Sequence, residues 1–135
     1  MTDDGLITIR SAYSVSGTID RLTTSVIERG MAIFARIDHA RGATDAGLSL
    51  PPTELLVFGN AHTGTPLMQV RQTVGIDLPL KVLGWEDADG TVWLTYVDPV
   101  WIGSRHRLRA EVNDTLSRMR DLLAAIVAEV ARATN

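Results

Sequence analysis

Four consecutive apolar residues, Leu55-Leu56-Val57-Phe58, run straight into the polar turn Gly59-Asn60-Ala61-His62-Thr63-Gly64-Thr65 and then Pro66. Successive side chains of a strand point to opposite sides, so an apolar run without alternation fits a strand covered on both faces, at the centre of a sheet. The turn at its exit is where α/β architectures often place ligands. Pro66 suits a first helical position, with Thr65 before it as N-cap. Leu67, Val70 and Val74 then line one side of a short helix that Gly75 closes.

The rest of the chain supplies partners for that strand. From Leu6 to Tyr13 the residues alternate, Ile7 and Ile9 on one face, Thr8 and Arg10 on the other, which predicts a half-buried strand. Ser14, Ser16 and Thr18 are candidate caps for an amphipathic helix carrying Ile19, Leu22, Val26 and Ile27, stopped by Gly30. Met31 to Asp38 reads as a second strand, with Met31, Ile33, Ala35 and Ile37 on one side and Phe34 with Arg36 on the other. His39 to Pro52 is a long connection holding at most a turn or two of helix, the kind of segment that serves as a functional loop or flap. Leu80 to Glu86 and Thr91 to Val97 form a hairpin through Asp87-Ala88-Asp89-Gly90, in which Trp93 and Thr95 face away from Val92, Leu94 and Tyr96. Asp98-Pro99 ends the last strand, and Arg105 to Leu108 reads as a basic connector.

Val112, Leu116, Met119, Leu123, Ile126 and Val130 alternate spacings of four and three, the seam of a helix of about twenty residues. Two readings stand for it: a helix lying on its own sheet, or one packed on a twin from a second subunit. Phe34, Trp93 and Trp85 fall on strand positions opposite the helices, so a second subunit or the last helix is expected to cover them. The expected fold is α+β: a two-layer sandwich of one mixed, mostly antiparallel sheet of about five strands in the order β-α-β-β-α-β-β-α, helices on one face. One domain is expected over residues 1–135, with a core at 5–107 and a helical segment at 108–133.

Charge narrows the partners. Thirteen Lys and Arg against sixteen Asp and Glu leave a net charge of −3, no electrostatic reason to expect nucleic acid or an anionic membrane. The basic cluster Arg105, His106, Arg107 and Arg109 near Trp101 is read, against that balance, as a solvated helix entry. The absence of cysteine excludes disulfides, thiolate metal sites and thiol catalysis. No apolar run approaches the roughly 20 residues that span a bilayer, and the acidic opening Met1-Thr2-Asp3-Asp4 does not read as a secretion signal. A cytoplasmic protein is expected.

The polar turn is the candidate site. Asn60, His62, Thr63, Gly64 and Thr65 bring amides, hydroxyls and an imidazole to a helix mouth, where unpaired N–H groups and the helix dipole favour an anion. His39, at the end of the second strand, and Lys81, as counter-charge, complete the expected set. An ordinary capped turn is the plainer alternative, and the lysine of a phosphate-cradling loop is missing. His39 beside Asp38, or His62, could act as general base, although no nucleophile signature accompanies them. The three histidines lack metal-ligand spacing, and Asp87-Ala88-Asp89-Gly90 lacks the remaining ligands of a calcium loop, so neither metal nor cofactor is expected.

The segments F-G-N-A-H-T-G-T-P-L-M, I-D-L-P-L-K-V-L-G-W-E-D and W-L-T-Y-V-D-P, with A-R-I-D-H and A-G-L-S-L-P-P-T-E-L-L-V-F-G-N before them, resemble the prokaryotic family called domain of unknown function 302. The likeness runs from Gly5 to about Arg107. It implies a two-layer α/β domain, usually homodimeric, with no assigned reaction and no functional residues to carry over. Relatives commonly have a cysteine in the turn that here holds Asn60 and His62, so no thiol role transfers. The function expected is small-ligand or anion binding, or regulation, by a homodimer without catalysis. An enzyme using His39 or His62 and a protein–protein assembly module are the alternatives.

Overall fold

A computed structural model of the chain describes residues 3–134; Met1 and Thr2 of the acidic opening, and Asn135, lie outside the described residues. The strands are β1 (Leu6–Ser11), β2 (Ala32–Asp38), β3 (Thr53–Gly59), β4 (Leu80–Glu86) and β5 (Val92–Val97). The helices are α1 (Val15–Glu28), α2 (His39–Asp45), α3 (Ala61–Val70), α4 (Pro99–Arg105) and α5 (Asn113–Ala131). A 3-10 segment, Gln72–Asp77, follows α3.

The five strands form one sheet in the order β1-β5-β4-β3-β2, and every pairing is antiparallel. The sheet is therefore not mixed. β1 and β2, joined through α1, lie at opposite edges, so the strand–helix–strand opening creates no parallel neighbours. Ser14 caps α1, its side chain accepting from the Gly17 N–H, and α1 lays Ile19, Leu22 and Val26 on the sheet without exposure. Beside it α5 contributes Leu123, Ile126, Val127 and Val130, and both helices meet Leu56, Phe58, Val82, Leu94 and Tyr96. The seam from Val112 to Val130 is buried within its own chain: Leu123, Ile126 and Val130 lie on the sheet, whereas Val112, Leu116 and Met119 pack on Leu67 of α3, Val74 of the 3-10 segment and Ile102 of α4. Covering the tryptophans is not its role.

Three expectations need correction. A β-bulge between Ile33 and Ala35 takes Phe34 out of register and exchanges the faces beyond it. Ala35 and Ile37, opposite Val57 and Leu55, thus share the face away from the helices. Arg36 turns toward α1, where it holds Glu54 at 2.8 Å and Asp20 at 2.6 Å. Burial works against the Arg36 charge, but the hydrogen bonds to Asp20 and Glu54 outweigh it and hold the guanidinium above its ordinary range. Glu54, 8% exposed, depends on that partner.

The second correction is α4, which stands where a connector was expected. Asp98 accepts from the Val100 N–H and Pro99 takes the first helical position, an N-terminal signature. Arg105 and His106 are accordingly not a solvated entry. His106 Nε2 lies 2.5 Å from Asp77 Oδ2, and Arg105 reaches both Asp77 oxygens at 3.1 Å, tying α4 to the 3-10 segment. Third, β3 is an interior strand, one in from the β2 edge while β4 is at the centre, and it is covered on one side only: Leu56 and Phe58 are fully buried, whereas Leu55 and Val57 are half-exposed.

Candidate functional site

The polar turn is a helical turn. Asn60, not Thr65, is the N-cap of α3: its side-chain oxygen accepts from the His62 N–H at 2.8 Å, and its carbonyl accepts from the Thr63 and Gly64 N–H groups at 3.0 Å. Pro66 sits inside the helix rather than at its start. The Gly64 amide is thus already bonded and Thr65 lies in the body of the helix, so the anion-holding amides expected at Gly64 and Thr65 are not at a helix mouth.

What α3 does form is one wall of a cavity of about 240 Å³ at the end of the sheet. Asn60, Thr63, Gly64 and Thr65 line it from α3, with Met68 a turn further on. Met31 and Phe34 come from the start of β2, Leu78, Pro79 and Leu80 from the entry to β4, and Met119 with Leu122 from α5. Most of these groups are apolar, and the methionines give a wall whose shape adapts to its contents. None of the lining residues is a cation.

The other expected site residues lie elsewhere. His62 faces a second depression of about 290 Å³ between α3 and α5, with Thr115 and Arg118, which shares Thr63, Met119 and Leu122 with the cavity. Lys81 pairs with Val57 on the uncovered face of the sheet and donates to the Pro79 carbonyl at 3.1 Å. His39 is the clearest separation. β2 and β3 are neighbours as expected, but antiparallel, with Ala32 opposite Gly59 and Asp38 opposite Glu54. His39 and Asn60 therefore follow opposite ends of that ladder, about 20 Å apart at ~3.3 Å per residue. A base shared by His39 and His62 is excluded by that geometry, and the Asp38 carboxylate is occupied in capping α2 at the Arg41 N–H.

Met31, Phe34, Met68, Leu78, Met119 and Leu122 were not read from the sequence as site residues. Their assembly depends on the bulge at Phe34 and on where α5 crosses the sheet end, and no local pattern encodes either. Among the described residues no cluster of three or more metal-ligating side chains is found.

Comparison with known proteins adds kinship. The chain is 52% identical over 106 residues, 78% of its length, to proteins named fluoride-specific ion channel FluC 1 in Brucella suis biovar 1 (strain 1330) and Brucella abortus biovar 1 (strain 9-941). The match spans only 42% and 39% of those proteins, about two fifths of their length. No helix among the described residues is long and apolar enough to cross a membrane. A crystal structure of an uncharacterized conserved DUF302 protein from Bacillus stearothermophilus has the same fold, with a TM-score of 0.83 at 18% identity, covering 96% of this chain and 99% of that one. The model for domain of unknown function DUF302 matches residues 7–126, reaching well into α5 and beyond the stretch where the resemblance was first visible, and the chain belongs to that family.

Proposed function

We propose that this chain is a small-ligand-binding, regulatory domain without catalysis of its own, acting in the cytoplasm as a homodimer. The cavity at the end of the sheet carries the reading. It is lined by five separate segments, holds room for roughly eight water-sized groups at ~30 Å³ each, and combines an apolar wall with the few polar groups Asn60, Thr63 and Thr65. A wall of flexible methionines suits reversible binding better than bond chemistry, which would need converging acids, bases or nucleophiles.

The channel relatives suggest what such a domain regulates. The matched segment is the lesser part of those proteins, and no helix among the described residues of this chain is long and apolar enough to cross a membrane. In a channel protein this segment would then sit beside the pore-forming part, where tethering gives a ligand-responsive domain a high effective concentration at its target. The expected role is control of an ion-conducting partner, fluoride being the ion those relatives' names specify.

Binding of the small neutral, polarity-sensitive fluorophore 4-(dimethylamino)benzonitrile tests the site. Fluorescence enhancement saturating at one equivalent is expected, and Gly64→Leu should abolish it. A Cβ at Gly64 meets only Leu78 and Met68 at 3.8 and 3.9 Å, ordinary contact distances, so the longer side chain fills the cavity without breaking the helix. No enhancement in the wild-type chain, or undiminished enhancement in a folded Gly64→Leu variant, would remove the cavity as a binding site.

A further inference from the structure

The depression next to the cavity sets a chemical requirement on what the cavity binds. Arg118 on α5 enters no ion pair among the described residues, whereas its neighbour Arg120 holds Asp121 at 3.1 Å. It lines the depression with the His62 imidazole and the Thr63 and Thr115 hydroxyls, a set made of one permanent cation and three groups able to donate hydrogen bonds. No carboxylate lines either space. Thr63, Met119 and Leu122 line both spaces, so an apolar compartment and an anion-accepting one share part of their wall.

We propose that the site takes a single-chain amphiphile with a carboxylate head, the chain lying among Met31, Met68, Leu78 and Met119 and the head at Arg118 and His62. This rests on the cavity being a ligand site, and adds to it the class of ligand. Burial of each methylene against the methionine wall contributes to affinity in proportion to the area covered. The guanidinium fork matches a carboxylate in two parallel hydrogen bonds, which fixes the orientation of the molecule. At about 240 Å³, and ~30 Å³ for each methylene-sized group, a chain of roughly eight carbons fills the space. The anion is thus held by side chains of α3 and α5 instead of by helix amides.

Calorimetric titration of the full chain with decanoate and with 1-decanol at pH 7.4 tests this. Decanoate is expected to bind about tenfold more tightly than the alcohol, the reach of one partly exposed charge-assisted contact. Arg118→Ala, on an exposed helix position, should bring decanoate down to the level of decanol and leave decanol unchanged. Equal affinities in the wild-type chain, or an unaltered preference in Arg118→Ala, would overturn the carboxylate assignment while decanol binding kept the cavity reading intact. Binding of neither compound would overturn both.

Discussion

Asp87 at the tip of the β4–β5 hairpin is the residue on which most local bonds converge. Its Oδ1 accepts from the Asp89 and Thr91 N–H groups at 2.9 Å, and its Oδ2 from the Trp93 indole at 2.8 Å, while Gly90 supplies the positive φ of the turn. The Trp93 hydrogen bond foremost, opposed by burial and joined by the two amides and nearby Arg10, holds the carboxyl below its ordinary range. A depressed folded value means the contribution is present at neutral pH, above the unfolded carboxylate value of ~3.9, and is lost as pH falls through the folded value. Asp87→Asn should therefore melt below the wild type at pH 7, with the gap closing as pH drops below about 4. Thermal melts across that range check it; a gap that stays constant would show that Asp87 acts through turn geometry alone. The turn itself was legible, because Asp-Ala-Asp-Gly between two apolar strands is a local signal. The Trp93 bond was not, since it needs the pleat to bring residues six apart onto one side.

At the scale of elements, legibility followed how local the cause was. α1 with its Ser14 cap, the hairpin with its turn residues and α5 with its seam are written in capping, turn chemistry and periodicity within a few neighbouring residues. α3 was misplaced because Thr65-Pro66 and Asn60 are both valid starts, and the helix took the earlier one, accepting a proline at its sixth residue. α4 was missed although Asp98-Pro99 is both a strand stop and a helix start. The bulge at Phe34 left no sequence mark, and with it went the Phe34 wall of the cavity and the true direction of Arg36. The correct start of α3 has a measurable consequence. Asn60→Ala should cost about 1 kcal/mol, the loss of an N-cap, and lower Tm by about 3–5 °C, while Thr65→Ala at an exposed mid-helix position should change stability by less than ~0.5 kcal/mol. The reverse order in chemical denaturation would restore Pro66 as the start.

For the whole molecule, one face of the sheet lacks a cover among the described residues. Leu55, Val57, Leu83, Trp85 and Trp93 are half-exposed there and Ile37 is 42% exposed, an apolar field with α1 and α5 on its other side. Its indole donors are already paired: Trp85 Nε1 donates to Thr95 Oγ1 at 2.9 Å and Trp93 Nε1 to Asp87, while Lys81 Nζ donates to the Pro79 carbonyl at 3.1 Å. A partner of the same kind could therefore close over it without stranding an indole donor, which is the usual cost of burying tryptophan. Five strands ~4.8 Å apart and about six residues long at ~3.3 Å each present roughly 500 Å² in projection. The pleated accessible surface is larger than its projection and approaches the ~800 Å² per partner of a specific interface, with sheets stacked ~10 Å apart. Sedimentation of the wild-type chain at micromolar concentration should give a dimer. Leu83→Glu, in the middle of β4, should give a folded monomer, since an unpaired carboxylate in that interface costs about 3 kcal/mol or more, on the order of a hundredfold in affinity. A wild-type monomer, or a Leu83→Glu dimer with native circular dichroism, would show that this face does not join two copies. The cavity, built from one chain at the far end of the same sheet, would remain a site of its own in either case.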